Sequence, residues 1–178
     1  MLGFDRLSPN GGDLTGISKR IRETVLRQHT QSMTHHECEL CQQPGGEVLW
    51  QDERCRVVRV GGLDGEAFPG FCRVIWRDHV REMSDLSAAD QRHVFNLVLA
   101  TEIALRKTVR PDKINLASFG NMVPHVHWHV IPRWRDDSHF PGAIWAAAQR
   151  SATPRERVAN AVIQAAVAQA LSEIQNGG

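Results

Sequence analysis

Residues 124–131 read PHVHWHVI, with His125, His127 and His129 at every second position and Val126, Trp128 and Val130 between them. On an extended strand, side chains two residues apart share a face and stand roughly 6.5–7 Å apart. The spacing therefore predicts three imidazoles on one side and three large apolar groups on the core side. The apolar set fixes the register, because a slip by one residue would bury the rings and expose the tryptophan. Such a row admits three readings. It can be a solvated or pH-sensitive strand face. It can be a metal site formed by the triplet itself. It can also be nucleophilic, since imidazole attacks phosphorus near neutral pH and the resulting phosphorus–nitrogen bond is readily hydrolysed.

A second group with chemical potential lies upstream. HHECELC, residues 35–41, places Cys38 and Cys41 at the spacing zinc knuckles use. Two thiolates are half of a tetrahedral site. Reduced core cysteines and a thioredoxin-like redox pair are the alternatives, and His35 and His36 are the local candidates for further ligands. Cys55 and Cys72 stand alone and read as small buried apolar residues.

The elements that must carry these groups follow from the pattern. Residues 47–60 read as two strands around a turn at 51–54, residues 61–70 as a loop, and FCRVIW, 71–76, as a strand. A helix capped by Ser84 or Asp85 runs over about 87–109, with Val94, Leu97, Val98, Ile103 and Leu105 as its stripe and Pro111 beyond its end. INLASF, 114–119, is a strand followed by a Gly-Asn bend, and 125–133 is the histidine strand. A loop follows, and Pro154 opens a last helix with Val158, Val162, Ala165, Leu171 and Ile174 on its apolar side. The first residues are rich in Gly, Pro, Ser and Asn and read as an arm, with a short helix over 17–30. The mix is α+β, organised as an extension over 1–34, a domain over 35–150 and a C-terminal helix over 151–178.

The 178 residues carry a formal net charge of +1, which gives no global attraction to nucleic acid or membrane. No apolar run is long enough to span a bilayer, and the N-terminus lacks the basic start and apolar core of a signal peptide. The expectation is a cytoplasmic protein with reduced cysteines.

PHVHWHVI resembles the signature of the histidine-triad (HIT) superfamily. The surrounding KINLASFGNMVPHVHWHVIPR, HVREMSDL, FPGFCRVIW, CELC and DDSHFP strengthen the likeness over roughly residues 36–145 and resemble bacterial diadenosine tetraphosphate hydrolase-like members. The resemblance implies an antiparallel sheet of about five strands with one long flanking helix. It implies a cytoplasmic homodimer acting on a nucleotide such as a dinucleoside polyphosphate.

Carried onto this chain, the resemblance makes His127 the nucleophile that attacks an α-phosphate and holds the nucleotidyl group. His129 would bond a phosphate oxygen, and Asn115 and Asn121 would lie near phosphate. It also implies that Cys38, Cys41, His79 and His125 hold a structural zinc, which divides the triplet between metal and catalysis. The alternatives are nucleotidyl transfer to another acceptor, and a zinc-stabilised nucleotide-binding protein without turnover. The chain departs from the family at Phe71, where many members have a histidine, and at Met122, where phosphoramidate-cleaving members have a serine. Both departures weigh against phosphoramidate substrates. Arg133 and Arg135 read either as phosphate contacts or as a solvated basic edge. His139 and His93 read as surface residues, and Trp145 as packing.

Overall fold

The structure is a computed structural model, and it describes residues 37–177. The helix expected over 17–30 and the ligand candidates His35 and His36 lie outside the described residues. Five strands form one antiparallel sheet among the described residues: β1 Glu47–Gln51, β2 Cys55–Arg59, β3 Cys72–Trp76, β4 Lys113–Ala117 and β5 His127–Arg133. Their order is β1-β2-β3-β5-β4, so the histidine strand is interior and β4 is an edge. Among the described residues four α-helices accompany the sheet: α1 Glu39–Gln42, α2 Gly62–Ala67, α3 Ala88–Thr108 and α4 Asn160–Asn176. The antiparallel sheet with a long flanking helix and a C-terminal helix is the α+β architecture expected from the sequence.

The core lies between one sheet face and the two long helices. Val57, Val74 and Val130 from the sheet meet Val94, Leu97, Val98, Ala104 and Leu105 from α3. Ile163, Val167, Ala170 and Leu171 from α4 join the same cluster. Ser87, rather than Ser84 or Asp85, caps α3. Its Oγ accepts from the Asp90 amide and donates to the Asp90 carboxylate at 2.7 Å. Residues 83–85 form a short 3-10 turn instead, which places Ser87 one step before the first helical residue. On α4 the continuous run 163, 167, 170, 171, 174 faces inward, and the expected Val162 is one step off it and 50 % exposed.

The C-terminal helix starts later than the proline at 154 leads one to expect. The segment before Asn160 is held along the sheet by side chains from elsewhere. Arg59 donates to the Val158 carbonyl at 2.6 Å and to Asn160 Oδ1 at 2.7 Å. Arg155 pairs with Asp136 and lies 4.3 Å over the Trp134 ring. These contacts outcompete local helix propensity. The reverse holds at 62–67, expected as loop and found as α2. Val60 and Phe68 are both buried in a cluster with Phe71, Ile131 and Ile144, and the short span between them coils to join the two anchors. Gly65 packs against the Val60 carbonyl so closely that a Cβ would overlap it.

The opposite sheet face carries the chemistry. Directly paired residues share a face, so His127 stands with Ile75, His129 with Arg73 and Ala117, and Ile131 with Asn115. Its floor is closed by two smaller clusters: Cys38, Leu40, Val58 and Ile75 under α1, and the Phe68–Phe71 group under α2.

Candidate functional site

Of the three histidines, His127 and His129 lie within β5. His125 precedes β5, and its N–H bonds back to the Val123 carbonyl at 2.8 Å. Its ring is fully buried. On the other side of the strand Val126 and Val130 are buried as expected. Trp128 is half-buried, with its ring 5.3 Å from Phe95 of α3.

His125 meets the cysteine pair. Its Nδ1 is 3.4 Å from Cys38 Sγ and 3.5 Å from Cys41 Sγ, and Cys41 Sγ is 3.4 Å from His79 Nδ1. One donor atom from each of Cys38, Cys41, His79 and His125 lies within 4.8 Å of the others. Typical zinc–sulfur and zinc–nitrogen bonds at tetrahedral angles give a sulfur–nitrogen edge of about 3.6 Å, so this set fits around one ion. The second nitrogen of His125 fixes which tautomer is present. A carbonyl only accepts, so Nε2 donates to Trp76 O at 2.7 Å and Nδ1 keeps its lone pair toward the thiols. The local backbone helps: the Cys41 and Gln42 amides bond to the Cys38 carbonyl, folding both sulfurs to one side. Burial and the adjoining Cys38 push the Cys41 thiol up to about 11. Such a thiol keeps its proton unless a cation compensates the charge. These four residues could therefore hold a metal. Cys55 and Cys72 are buried, and burial pushes both thiols up to about 12, as inert core groups require.

His127 and His129 remain on the face, 4.9 Å apart between ring centres. They retain 8 % and 6 % of their surface, and both line a hollow of 690 Å³ together with Glu39, Arg73, Phe119, Asn121, Met122 and Trp145. His127 Nδ1 donates to the His125 carbonyl at 2.6 Å, which leaves Nε2 as the lone-pair nitrogen. Burial lowers the pKa of His127, the bond to His125 opposes that, and the Arg73 cation lowers it further. Burial, then His127 and Arg73, hold His129 at about 3. Both rings are neutral near pH 7, the state a nitrogen nucleophile needs. Phe71, in place of a family histidine, lies 5.7 Å from the His129 ring and closes that side with carbon.

The other expected site residues divide. Asn121 and Met122 are exposed and line the histidine hollow. Asn115 lines an adjoining hollow of 420 Å³, which shares Phe119, Ala143 and Trp145 with the first. Its side-chain oxygen accepts from Arg133 at 2.8 Å. Arg133 is no phosphate contact. It is 2 % exposed, pairs with Asp137 through both oxygens at 2.8 and 3.0 Å, and is neutralised there. Arg135 is exposed, and its amide bonds to Asp112.

Three further expectations change. Trp145 is 49 % exposed at the mouth of the hollow, 5.1 Å from His129, where a packing residue was expected. His139 is half-buried against Phe68 at 5.6 Å, because Asp137 accepts from its amide and pulls the loop inward. His93 is buried, with Nδ1 accepting from Arg54 at 3.1 Å and Nε2 2.8 Å from Asp52. The turn between β1 and β2 thus reaches α3, which no periodicity on the helix reveals.

Sequence reasoning missed Arg73 and Glu39 as residues of the hollow. For Arg73 a signal existed: it is the one charged residue inside CRVIW, a strand otherwise apolar.

Comparison with known proteins agrees with this arrangement. The HIT domain family matches residues 46–136, half of the chain. An uncharacterized HIT-like protein from Saccharolobus solfataricus is 26% identical over 101 residues, 54% of this chain and 73% of its own. A histidine triad protein from Marinobacter aquaeolei is similar in structure, with a TM-score of 0.56 and 24% identity over 73% of this chain and 91% of that one. One from Sinorhizobium meliloti has a TM-score of 0.56 and 22% identity over 71% and 90%. The triad strand, the sheet that carries it and the family match converge, and the chain belongs to the HIT domain family.

Proposed function

We propose that this protein is a nucleotide hydrolase that cleaves at the α-phosphate of dinucleoside polyphosphates or related nucleotides through a nucleotidyl-histidine. The observation that carries this reading is the state of His127: Nδ1 is tied to the His125 carbonyl, and the remaining nitrogen belongs to a ring lining a 690 Å³ hollow. Nε2 attacks phosphorus, a nitrogen–phosphorus bond forms, and the bridging phosphorus–oxygen bond breaks with its electron pair going to the leaving group. Water then displaces His127 and releases the mononucleotide. His129, beside it, bonds a phosphate oxygen, and the Asn121 amide donates from the loop above. Asn115, its oxygen taken by Arg133, offers amide N–H groups to phosphate from the adjoining hollow.

Zinc is the metal that two thiolates and two imidazoles at these separations suit best. With four protein donors it supplies a closed structural cross-link. Cys38, Cys41, His79 and His125 would hold it, tying α1 to the start of the triad strand. A homodimer completes the reading. Edge strand β4 and the exposed Phe95, Leu99 and Leu116, from α3 and β4, support it.

The test is covalent trapping. The full chain is mixed with diadenosine tetraphosphate, quenched at alkaline pH and digested, and the peptide carrying His127 is weighed. An adenylate adduct on that peptide, absent in His127→Asn together with turnover, is the expected result. Full turnover by His127→Asn, or nucleotide bound and released without any adduct, overturns the reading in favour of another mechanism or a binding module. Product analysis with and without a sugar phosphate separates hydrolysis from transfer.

A further inference from the structure

Arg73 is half-buried on β3, directly opposite His129 of β5. It lines the histidine hollow and also a second hollow of 400 Å³, lined by Gly45, Val60, Gly61, Leu63 and Asp64. Its side chain is poorly satisfied. Nε is buried with no hydrogen-bond partner, and Nη1 reaches the Gly45 carbonyl at 3.4 Å. Phe71 lies beneath it, 5.9 Å from ring centre to Cζ. Glu39 and Asp64 act on it through space, but among the described residues neither comes within ion-pair distance. A half-buried guanidinium whose Nε finds no acceptor is costly, and a planar fork of this kind matches phosphate oxygens two at a time.

The walls of the histidine hollow sharpen the point. Among the described residues that line it, Arg73 is the one permanent cation, and serine, threonine, tyrosine and lysine are absent. A leaving group that must be protonated, such as an amine, finds little help there. One that departs as an anion needs a fixed positive charge instead.

We propose that Arg73 and the 400 Å³ hollow form the subsite for a polyphosphate leaving group, so that the enzyme is built for nucleotides whose α-phosphate carries an anionic phosphate chain. This rests on the His127 reading given above. When Nε2 of His127 bonds to the α-phosphorus, the bridging oxygen leaves with the electron pair as part of a phosphate anion. Arg73 meets that charge, and no proton is required. The remaining phosphates run from the histidine hollow past the guanidinium into the second one.

Two measurements test this. In the first, kcat/KM is compared for wild type, Arg73→Leu and Arg73→Lys on diadenosine tetraphosphate and on the p-nitrophenyl ester of adenosine 5′-monophosphate. These share the adenylyl group and differ in the charge of what leaves. The loss in Arg73→Leu should be larger on the tetraphosphate by roughly tenfold or more, with partial recovery in Arg73→Lys. Equal losses on both substrates overturn the subsite.

The second measurement is independent of turnover. Inorganic tripolyphosphate is titrated calorimetrically into the full chain carrying His127→Asn. Adding Arg73→Leu should raise the Kd roughly tenfold or more, and adding Asp64→Asn, which removes an exposed carboxylate, should lower it by a few-fold. Unaltered affinity in either variant overturns the inference. If neither nucleotide is turned over by wild type, the covalent reading fails, and the tripolyphosphate titration still judges Arg73.

Discussion

Two rings two residues apart can have different fates, and the hydrogen bond at the second nitrogen decides which. His125 gives its Nε2 proton to Trp76 O and faces sulfur, whereas His127 gives its Nδ1 proton to a carbonyl and faces the hollow. His129 has no such anchor on Nδ1, and burial with two neighbouring basic groups holds it at about 3 against an ordinary value of 6.5. The folded chain therefore refuses a proton that the unfolded chain accepts between those two values. Stability is fully present above about 6.5 and falls as pH drops toward 3. Denaturant midpoints at pH 7.5, 5.5 and 4.5 should decline in that order, and His129→Gln should flatten the slope. A wild-type midpoint independent of pH across this range contradicts the assignment. Asp137 is lowered too, for the opposite reason: its charged form is favoured, so its contribution is likewise lost as pH falls. Burial pushes its carboxyl up, but Arg133 and the amides of His139 and Trp134 outweigh that and hold it at about 2. Asp137→Ala strands the Arg133 charge and should cost about 3–5 kcal/mol in urea unfolding. A loss below about 1 kcal/mol would show that the pair is solvated.

At the scale of elements, α1 is four residues long and has no side-chain cap, so helix propensity cannot hold it. Leu40 anchors one side, and Arg56 bonds the Leu40, Gln43 and Pro44 carbonyls. In the proposed reading the cysteines would supply the remaining attachment through a bound metal. Cys38→Ala should reduce bound zinc, measured by mass spectrometry of the intact protein, and lower the melting temperature by at least about 5 °C. Chelation of wild type should produce the same shift and leave the variant unmoved. If chelation has no effect on wild type, the four donors serve only as packing. The contrast with α3 is instructive. That helix has its own cap, its own stripe and Arg106 and Lys107 in its last turn, so it was legible without any partner.

Across the whole molecule, one sheet separates two tasks. The face under α3 and α4 is a continuous apolar core, and the other is divided between two small clusters and the hollows. Among the described residues no helix is long and apolar enough to cross a membrane. Phe95, Leu99 and Leu116 on α3 and β4 are exposed apolar positions, and the proposed homodimer would cover them. Light scattering should report a dimer for wild type and a monomer for Leu99→Glu. A monomeric wild type at micromolar concentration removes the dimer from the proposal.

The sequence by itself determined the elements whose signals are local and repeated: the alternating strand, read over 125–133 and found over 127–133, the FCRVIW strand, and α3 with its stripe. Resemblance supplied the pairing of Cys38 and Cys41 with His79 and His125. Tertiary structure alone decided what depends on groups distant in the chain. It set the burial of His125 beside Cys38, the late start of α4 under Arg59, and the burial of His93 by the turn at Asp52 and Arg54. It also turned Arg133 inward to Asp137 while leaving Arg73 Nε without an acceptor between two hollows. Periodicity reports which side of an element is apolar. It carries no information on which of two identical guanidinium groups finds a carboxylate, because that partner comes from the fold.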